Sequence, residues 1–268
     1  MSFKDHFSKQ AAVYAKFRPH YPQEMFVYLG RIAPSRQLAW DCGTGNGQAA
    51  LGLVEVFDRV IATDASEKQI ANAQAHDRVE YRVAPAENSS LESETIDLLV
   101  VAQALHWFEL DRFYSEARRV LKSGGVLAAT AYNLLQISPG IDRVVNRYYY
   151  KIVGRFWPAE RALVESFTEL PFPFAEKSPP SFQMNANWTM EQLLGYLRSW
   201  SATQAFMAAG GEDPLEQIRG ELRSIWGNRR QRRRVTWPLI LRVGVKGGRM
   251  RSLAKQCVNS AREVRARA

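Results

Sequence analysis

Between Leu38 and Ala49 the chain reads LAWDCGTGNGQA, and no other stretch constrains the fold as tightly. An apolar run ends in an acid, Asp41, and glycine then recurs at every second position: Gly43, Gly45 and Gly47. The pattern predicts a strand, a tight turn and the first turn of a helix. Glycine carries no Cβ, so the backbone of such a turn can come close to a ligand. Helix N-terminal amides and the strand-end carboxylate add polar groups at the same rim. A glycine loop alone is a weak signal, and a bare tight turn is the competing reading. A dinucleotide-binding G-x-G-x-x-G loop would need glycine at position 48, where this chain has Gln48.

The residues on either side predict repeated β-α units. Phe7, Ala11, Tyr14 and Phe17–Arg18 fall at helical spacing before Pro19-His20-Tyr21-Pro22, and a second helix is expected over 23–31. After the glycine loop come a helix to about Phe57, a strand Arg59–Thr63 ending at Asp64, a helix over 67–75 and a strand over 79–83. Asp64 lies seventeen residues past Gly47, at a strand tip, within range of ribose hydroxyls; helix capping is its alternative role, with Ser66 also at hand. Ile96–Ala102 (IDLLVVA) is nearly all apolar, as a central parallel strand should be. Gln103 and His106 follow at its carboxyl end, where open α/β sheets place ligands, with Trp107 beside them. A lone histidine there is either structural or a proton acceptor. An amphipathic helix over 111–121, a stop at Lys122-Ser123-Gly124-Gly125 and a strand over 126–131 complete five β-α units. Such alternation favours a parallel, doubly wound sheet.

From 134 to 180 the alternation breaks. Helices are expected over 141–156 and 160–170, the first carrying Arg143, Arg147, Tyr148, Tyr149, Tyr150, Lys151 and Arg155. The bland reading is a solvated basic face with its tyrosines in the core. A strand over 181–188, helices over 190–201 and 213–227, and a strand over 235–245 interrupted by Pro238 follow.

Taken together, D-x-G-x-G-x-G at 41–47, Asp64, the Ala86-Glu87 loop, and LDRFYSEARRVLKSGGVLA resemble class I S-adenosylmethionine (SAM)-dependent methyltransferases. Within these the chain most resembles the small-molecule group that includes trans-aconitate methyltransferase, over roughly residues 5–246. The resemblance implies a seven-stranded, doubly wound, mostly parallel α/β sheet of Rossmann-like type with an inserted helical cap. It implies a SAM-binding core with N-terminal lid helices at 1–133, a cap over the substrate site at 134–180, the rest of the core sheet at 181–246 and a basic tail at 247–268. Asp41, Gly43, Gly45, Gly47, Asp64, Ala86, Glu87 and Gln103 would hold SAM, and Tyr14 and Arg18 would face its methionine end. Trp107, Arg147 and Tyr149 would meet the substrate. A cap rich in Arg and Tyr would suit a small anionic or carboxylic acceptor. A hydroxyl acceptor would instead need a base, for which His106 is the candidate. The (D/N)PP(Y/F) tetrapeptide common in amino-methyltransferases is absent after the fourth strand.

Charge qualifies the alternatives. The net +9 belongs to the C-terminal end: residues 228–268 hold 13 Lys and Arg against Glu263 alone, and the other 227 residues carry 23 bases and 26 acids. The run Arg229–Arg234 (RRQRRR) with the tail could bind phosphates, but a solvated run is the commoner case, and nucleic acid is not the expected partner. A SAM-fold subunit without activity is a further alternative, disfavoured by the intact glycine loop and Asp64. No carboxylate or histidine cluster has metal spacing, Cys42 and Cys257 form no framework, and no apolar run reaches membrane-spanning length. A cytoplasmic enzyme is expected, with its oligomeric state left open.

Overall fold

A computed structural model describes residues 19–247 apart from 211 and 229. The expected lid helix with Tyr14 and Arg18, and the tail from 248 onward, lie outside the described residues. In chain order the main elements are α1 (Gln23–Ile32), β1 (Leu38–Cys42), α2 (Gln48–Leu53), β2 (Arg59–Asp64), α3 (Glu67–Ala71), β3 (Val79–Val83), β4 (Ile96–Ala102), α4 (Leu110–Val120) and β5 (Leu121–Tyr132). There follow α5 (Pro139–Arg147), α6 (Ala162–Glu165), β6 (Ala175–Lys177), β7 (Gln183–Trp188), α7 (Met190–Arg198), α8 (Ser201–Ala208), α9 (Glu216–Trp226) and β8 (Arg233–Val245).

The strands form one mixed sheet in the order β3-β2-β1-β4-β5-β8-β6, with β7 paired to β8 off this path. β1 to β5 run parallel; β8 is antiparallel to β5, β6 and β7. This is the doubly wound α/β sheet that the alternation predicts. Successive side chains of a strand face opposite sides, so each central strand feeds two cores. Ala39, Val60, Leu98 and Val126 pack with Phe26 and Leu53 on one face. Trp40, Leu99, Leu127 and Ala129 pack with Phe113 and Val120 of α4 on the other. The one charge within β4, Asp97, is fully buried and is satisfied by Lys122 Nζ at 2.8 Å and the Leu38 amide at 3.0 Å.

Two expectations shift. The strand at the sheet margin beyond β8 is Ala175–Lys177, all exposed, and its composition carries no apolar signal. The segment expected as a core strand over 181–188 instead pairs with residues 233–238 of β8. Pro238 sits where β8 changes partner, since β5 pairing begins at Leu239. A missing N–H is tolerated at such a handover. The expected long helix over 141–156 is regular only to Arg147; Tyr148–Ile152 is one π-helical turn, closed by the Val153 amide on the Tyr148 carbonyl at 3.0 Å.

A third core joins the cap to the C-terminal elements: Val144 and Tyr148 pack with Leu193, Leu222, Trp226 and Trp237. Arg232, Arg233 and Arg234 reach the edge of this layer. Arg233 donates to the Trp226 carbonyl at 3.0 Å and so caps α9, Arg232 donates to the Asn187 carbonyl at 2.8 Å, and Arg234 donates to Asn185 Oδ1 at 3.0 Å. Cations at a helix C-terminus also suit its dipole. Among the described residues no helix is long and apolar enough to cross a membrane.

Candidate active site

The carboxyl ends of β1, β2, β4 and β5 converge on one rim. At β1 the turn is pinned by the Gly43 and Thr44 amides, which donate to the Thr63 carbonyl at 2.8 and 2.9 Å. Gly43 has φ +71°, and a Cβ there would stand 2.6 Å from Ala104 Cβ, so only glycine fits between turn and β4 exit. Gly47 is equally closed, with a Cβ falling 2.3 Å from Tyr81 Oη. At Gly45 the nearest atom to a Cβ is 4.0 Å away: its face of the loop is open. Asp64 ties the loop to β2, its Oδ2 accepting from the Gly45 amide at 2.9 Å and its Oδ1 from the Ser66 amide at 2.8 Å. Ser66 itself caps α3.

Asp41 is fully buried. Its Oδ2 accepts from the Thr44 hydroxyl at 2.5 Å, and its Oδ1 has no partner among the described residues. Burial pushes its pKa up to about 7, against the Thr44 hydrogen bond and the nearby Ala50 backbone amide, which lies outside strict hydrogen-bond geometry to Oδ1, and with help from the Asp64 charge. In the third loop Ala86 is buried, and Glu87 Oε1 accepts from the Glu109 amide at 2.8 Å, which joins that loop to the start of α4.

At the exit of β4, Gln103 adopts φ +56°, a left-handed conformation that costs a non-glycine residue roughly 1–2 kcal/mol. The compensation is visible. Its backbone amide donates to the Thr130 carbonyl at 2.8 Å, and its side-chain amide brackets Tyr132, accepting from the Tyr132 N–H at 2.9 Å and donating to its carbonyl at 3.2 Å. The side chain thus extends the β4–β5 ladder by one residue and turns the chain outward into the short helical turn Leu105–Trp107.

That turn buries His106, whose Nδ1 has no partner among the described residues, with the Trp107 ring at 4.8 Å. Burial, and secondarily the Arg161 charge, lower the His106 pKa to about 4. The imidazole is therefore neutral at physiological pH. His106, Gln103 and Trp107 line a cleft whose far wall comes from the cap residues Tyr149, Trp157 and Arg161 and from Trp200, between α7 and α8. Arg161 lies over the Tyr149 and Trp157 rings at 5.6 and 5.3 Å and donates from Nε to Tyr149 Oη at 2.8 Å. The tyrosine, its pKa held up to about 12 mainly by burial, stays protonated and donates onward to Glu165 at 3.1 Å. The terminal nitrogens of Arg161 have no partner among the described residues. Beyond Arg161 the cleft opens into a cavity of about 520 Å³ that shares Asn133, Leu134, Tyr149 and Arg161 with it.

Four buried side-chain polar atoms lack partners among the described residues, and three of them, on Asp41, His106 and Asn133, lie at this rim. An orphaned buried polar group costs about 1–3 kcal/mol, so their concentration at one edge marks where a ligand would supply the missing partners.

The structure gathers Asp41, the three glycines, Asp64, Gln103, His106, Trp107 and Tyr149 at or beside this rim. It does not bring Arg147 there: that side chain is exposed and pairs with Glu221 on α9. Arg161, Asn133, Trp157 and Trp200 are the wall residues that sequence reasoning did not single out. Arg161 ends a single 3-10 turn, Ala159–Arg161, just ahead of α6, and nothing in its sequence context sets it apart from the other basic residues of the cap; Trp200 carries no local signal either.

Comparison with known proteins agrees with the geometry. Residues 40–129 match the methyltransferase domain family. A Dictyostelium discoideum protein named as a methyltransferase is 35% identical over 225 residues, covering 82% of this chain and 86% of its own length. The yeast protein CRG1, named as a SAM-dependent methyltransferase, is 28% identical over 132 residues, 46% of this chain and 45% of its own. Among solved structures, one described as a type II methyltransferase from Anaeromyxobacter dehalogenans superposes with a TM-score of 0.82 at 47% identity, covering 87% of this chain and 99% of that one. The chain belongs to the class I SAM-dependent methyltransferases, and SAM is its cofactor.

Proposed function

We propose that the enzyme methylates a small carboxylic metabolite, in the manner of the trans-aconitate methyltransferase group. The residues at the rim fit the cofactor. The open face at Gly45 admits a close approach, Asp64 offers a carboxylate to ribose hydroxyls, and Ala86 and Glu87 flank the adenine. The unpartnered oxygen of Asp41 suits the ammonium of the methionine end. Gln103 acts by position, holding the β4 exit against β5. Tyr14 and Arg18, outside the described residues, are assigned to the methionine end on the resemblance alone.

SAM supplies a methyl group already activated on a sulfonium. What the chain adds is orientation for in-line attack and exclusion of water; alignment of this kind is worth up to about 7–11 kcal/mol in favourable intramolecular cases. The observation that carries the reading is the cationic, aromatic-walled cleft in which Arg161 has no carboxylate within ion-pairing distance among the described residues. A carboxylate would provide that counter-charge, and guanidinium groups bind carboxylates with two parallel hydrogen bonds.

The state of His106 favours the same acceptor. A hydroxyl nucleophile must lose its proton, and an imidazole with a pKa of about 4 is a weak base for that. A carboxylate attacks as it stands, with His106 left to accept a hydrogen bond or shape the wall. The test is methyl transfer from radiolabelled SAM to a panel of small carboxylic acids. A methyl-ester product, releasing methanol in dilute alkali, supports the proposal; an alkali-stable ether or amine product overturns it.

A further inference from the structure

We infer that the acceptor is a bifunctional acid, whose carboxylate docks on Arg161 and whose hydroxyl or ammonium group donates to Asn133 or Asp142 in the larger cavity. The inference rests on the carboxylic-acceptor reading and narrows it to one chemical class. A lone carboxylate needs only the cleft between His106 and Arg161. The cavity beyond, of about 520 Å³, leaves room for the rest of a metabolite, and its lining says what that part carries.

The lining is polar and rich in acceptors. Asn133, Gln136, Asp142, Asn146 and Glu165 contribute amides and carboxylates, and Arg161 is the only cation among the described residues that line it. Asp142 Oδ1 accepts from the Ile137 and Ser138 amides at 2.8 and 3.3 Å, which fixes the carboxylate at the start of α5; its Oδ2 has no partner among the described residues. Asn133 Oδ1 is buried and unpartnered. Glu165 is oriented by the Tyr149 hydroxyl. A second carboxylate on the substrate would meet Asp142 and Glu165 with no further cation to offset them. A hydroxyl would satisfy one of Asn133 and Asp142, and an ammonium has hydrogens enough for either or both. The wall is also built for the purpose locally: the π-helical turn Tyr148–Ile152 sets Tyr149 and Tyr150 both on the cavity. π turns inside helices recur at functional sites.

The experiment is calorimetric titration of the full chain saturated with S-adenosylhomocysteine (SAH). The probes are matched pairs of three- to six-carbon acids, each with and without a hydroxyl or amino group, together with the unsubstituted dicarboxylates. In the tightest-binding pair the substituted acid should bind at least about tenfold better than its unsubstituted partner, the worth of one or two satisfied hydrogen bonds. Asn133→Leu or Asp142→Asn, whichever residue receives the donor, should bring the substituted acid within about twofold of its unsubstituted partner measured on the same variant. Arg161→Gln should weaken every acid, with SAH affinity retained as the check on folding. Equal binding within the pairs, or tighter binding by unsubstituted dicarboxylates, overturns the inference while leaving the carboxylic-acceptor reading intact. If SAH binds and no acid does, both fall. A preference that survives in Asn133→Leu and in Asp142→Asn also overturns it, because the donor would then be read elsewhere.

Discussion

The two sides of the cleft are built on different principles. The side proposed for the cofactor is mostly backbone: a turn in which a Cβ at Gly43 or Gly47 would collide, amides pinned to the Thr63 carbonyl, and two strand-end acids. Its parts lie within a few residues of strand ends, so fold and site are the same feature. The side proposed for the acceptor is made of side chains drawn from distant segments: His106 after β4, Asn133 after β5, Tyr149 on a π turn, Arg161 on a 3-10 turn ahead of α6, and Trp200 ahead of α8. A backbone site tolerates little change in position. A side-chain site can be re-specified by single substitutions without disturbing the sheet.

The sharpest way to break this contrast is at Gly43. Gly43→Ala places a methyl 2.6 Å from Ala104 Cβ at φ +71°. Left-handed strain of roughly 1–2 kcal/mol and overpacking of typically 1–3 kcal/mol should together lower unfolding stability by about 2–5 kcal/mol in urea titrations. SAH binding should fall by at least about a hundredfold, the equivalent of some 2.7 kcal/mol. If the variant binds SAH normally, the loop is not the cofactor cradle.

Asp64→Ala should come next. It removes the acceptor proposed for the ribose hydroxyls and also releases the Gly45 and Ser66 amides. Hydrogen bonds to a charged group contribute about 1.5–3 kcal/mol each, so a loss of ten- to several-hundredfold in SAH affinity is expected by calorimetry. Affinity for the acid acceptor, measured at saturating SAH, should stay within about twofold if the two sides are energetically separate. A coupled loss on both sides would erase the contrast.

A milder test uses pH. The Asp41 carboxyl sits at about 7 in the fold against an ordinary 3.8, because burial disfavours its charge. A carboxyl raised on folding takes up a proton between those values, so the ligand-free fold loses stability from this group as pH rises from about 4 to about 7. Binding an ammonium has the opposite preference, since it needs the carboxylate. SAH affinity should therefore be level above about pH 7 and fall toward a limit of tenfold per pH unit below it, with one proton released on binding. Asp41→Asn should flatten the profile. A flat wild-type profile would detach Asp41 from the ammonium.

What the sequence makes legible follows the same divide. The glycine turn, the strand-end acids and the apolar β4 are local patterns, and the structure sets them side by side because parallel strands bring their carboxyl ends to one rim. β6 is illegible because three exposed residues, Ala175–Lys177, carry no periodicity and exist as a strand only through β8. The π turn is illegible because Tyr148–Ile152 continues the helical spacing of α5, and one extra residue per turn leaves no trace in composition. Arg161 is the most instructive gap. A basic residue near aromatics is common in this cap, and only tertiary packing decides which guanidinium faces the cleft.

Arg147 and Arg161 turn that last point into the smallest and most discriminating prediction. Both are cap arginines within fifteen residues of each other, and charge composition favours neither. Arg147 is about half exposed and pairs with an equally exposed Glu221, an arrangement worth about 0–1 kcal/mol. Arg147→Ala should leave KM for the acid and affinity for SAH within about twofold, and should lower stability only slightly. Arg161→Ala removes the one cation that lines both parts of the cleft among the described residues, and should raise KM for a carboxylate far more than it changes SAH affinity. It should also move the His106 pKa, read by NMR, upward from about 4, but not back to 6.5, because burial is the larger cause and remains. Equal effects of the two substitutions on KM would mean that the cap acts on the acceptor through its overall charge. A large effect of Arg161 alone, with the partial rise at His106, would mean that a single guanidinium in contact with the cleft sets its chemistry.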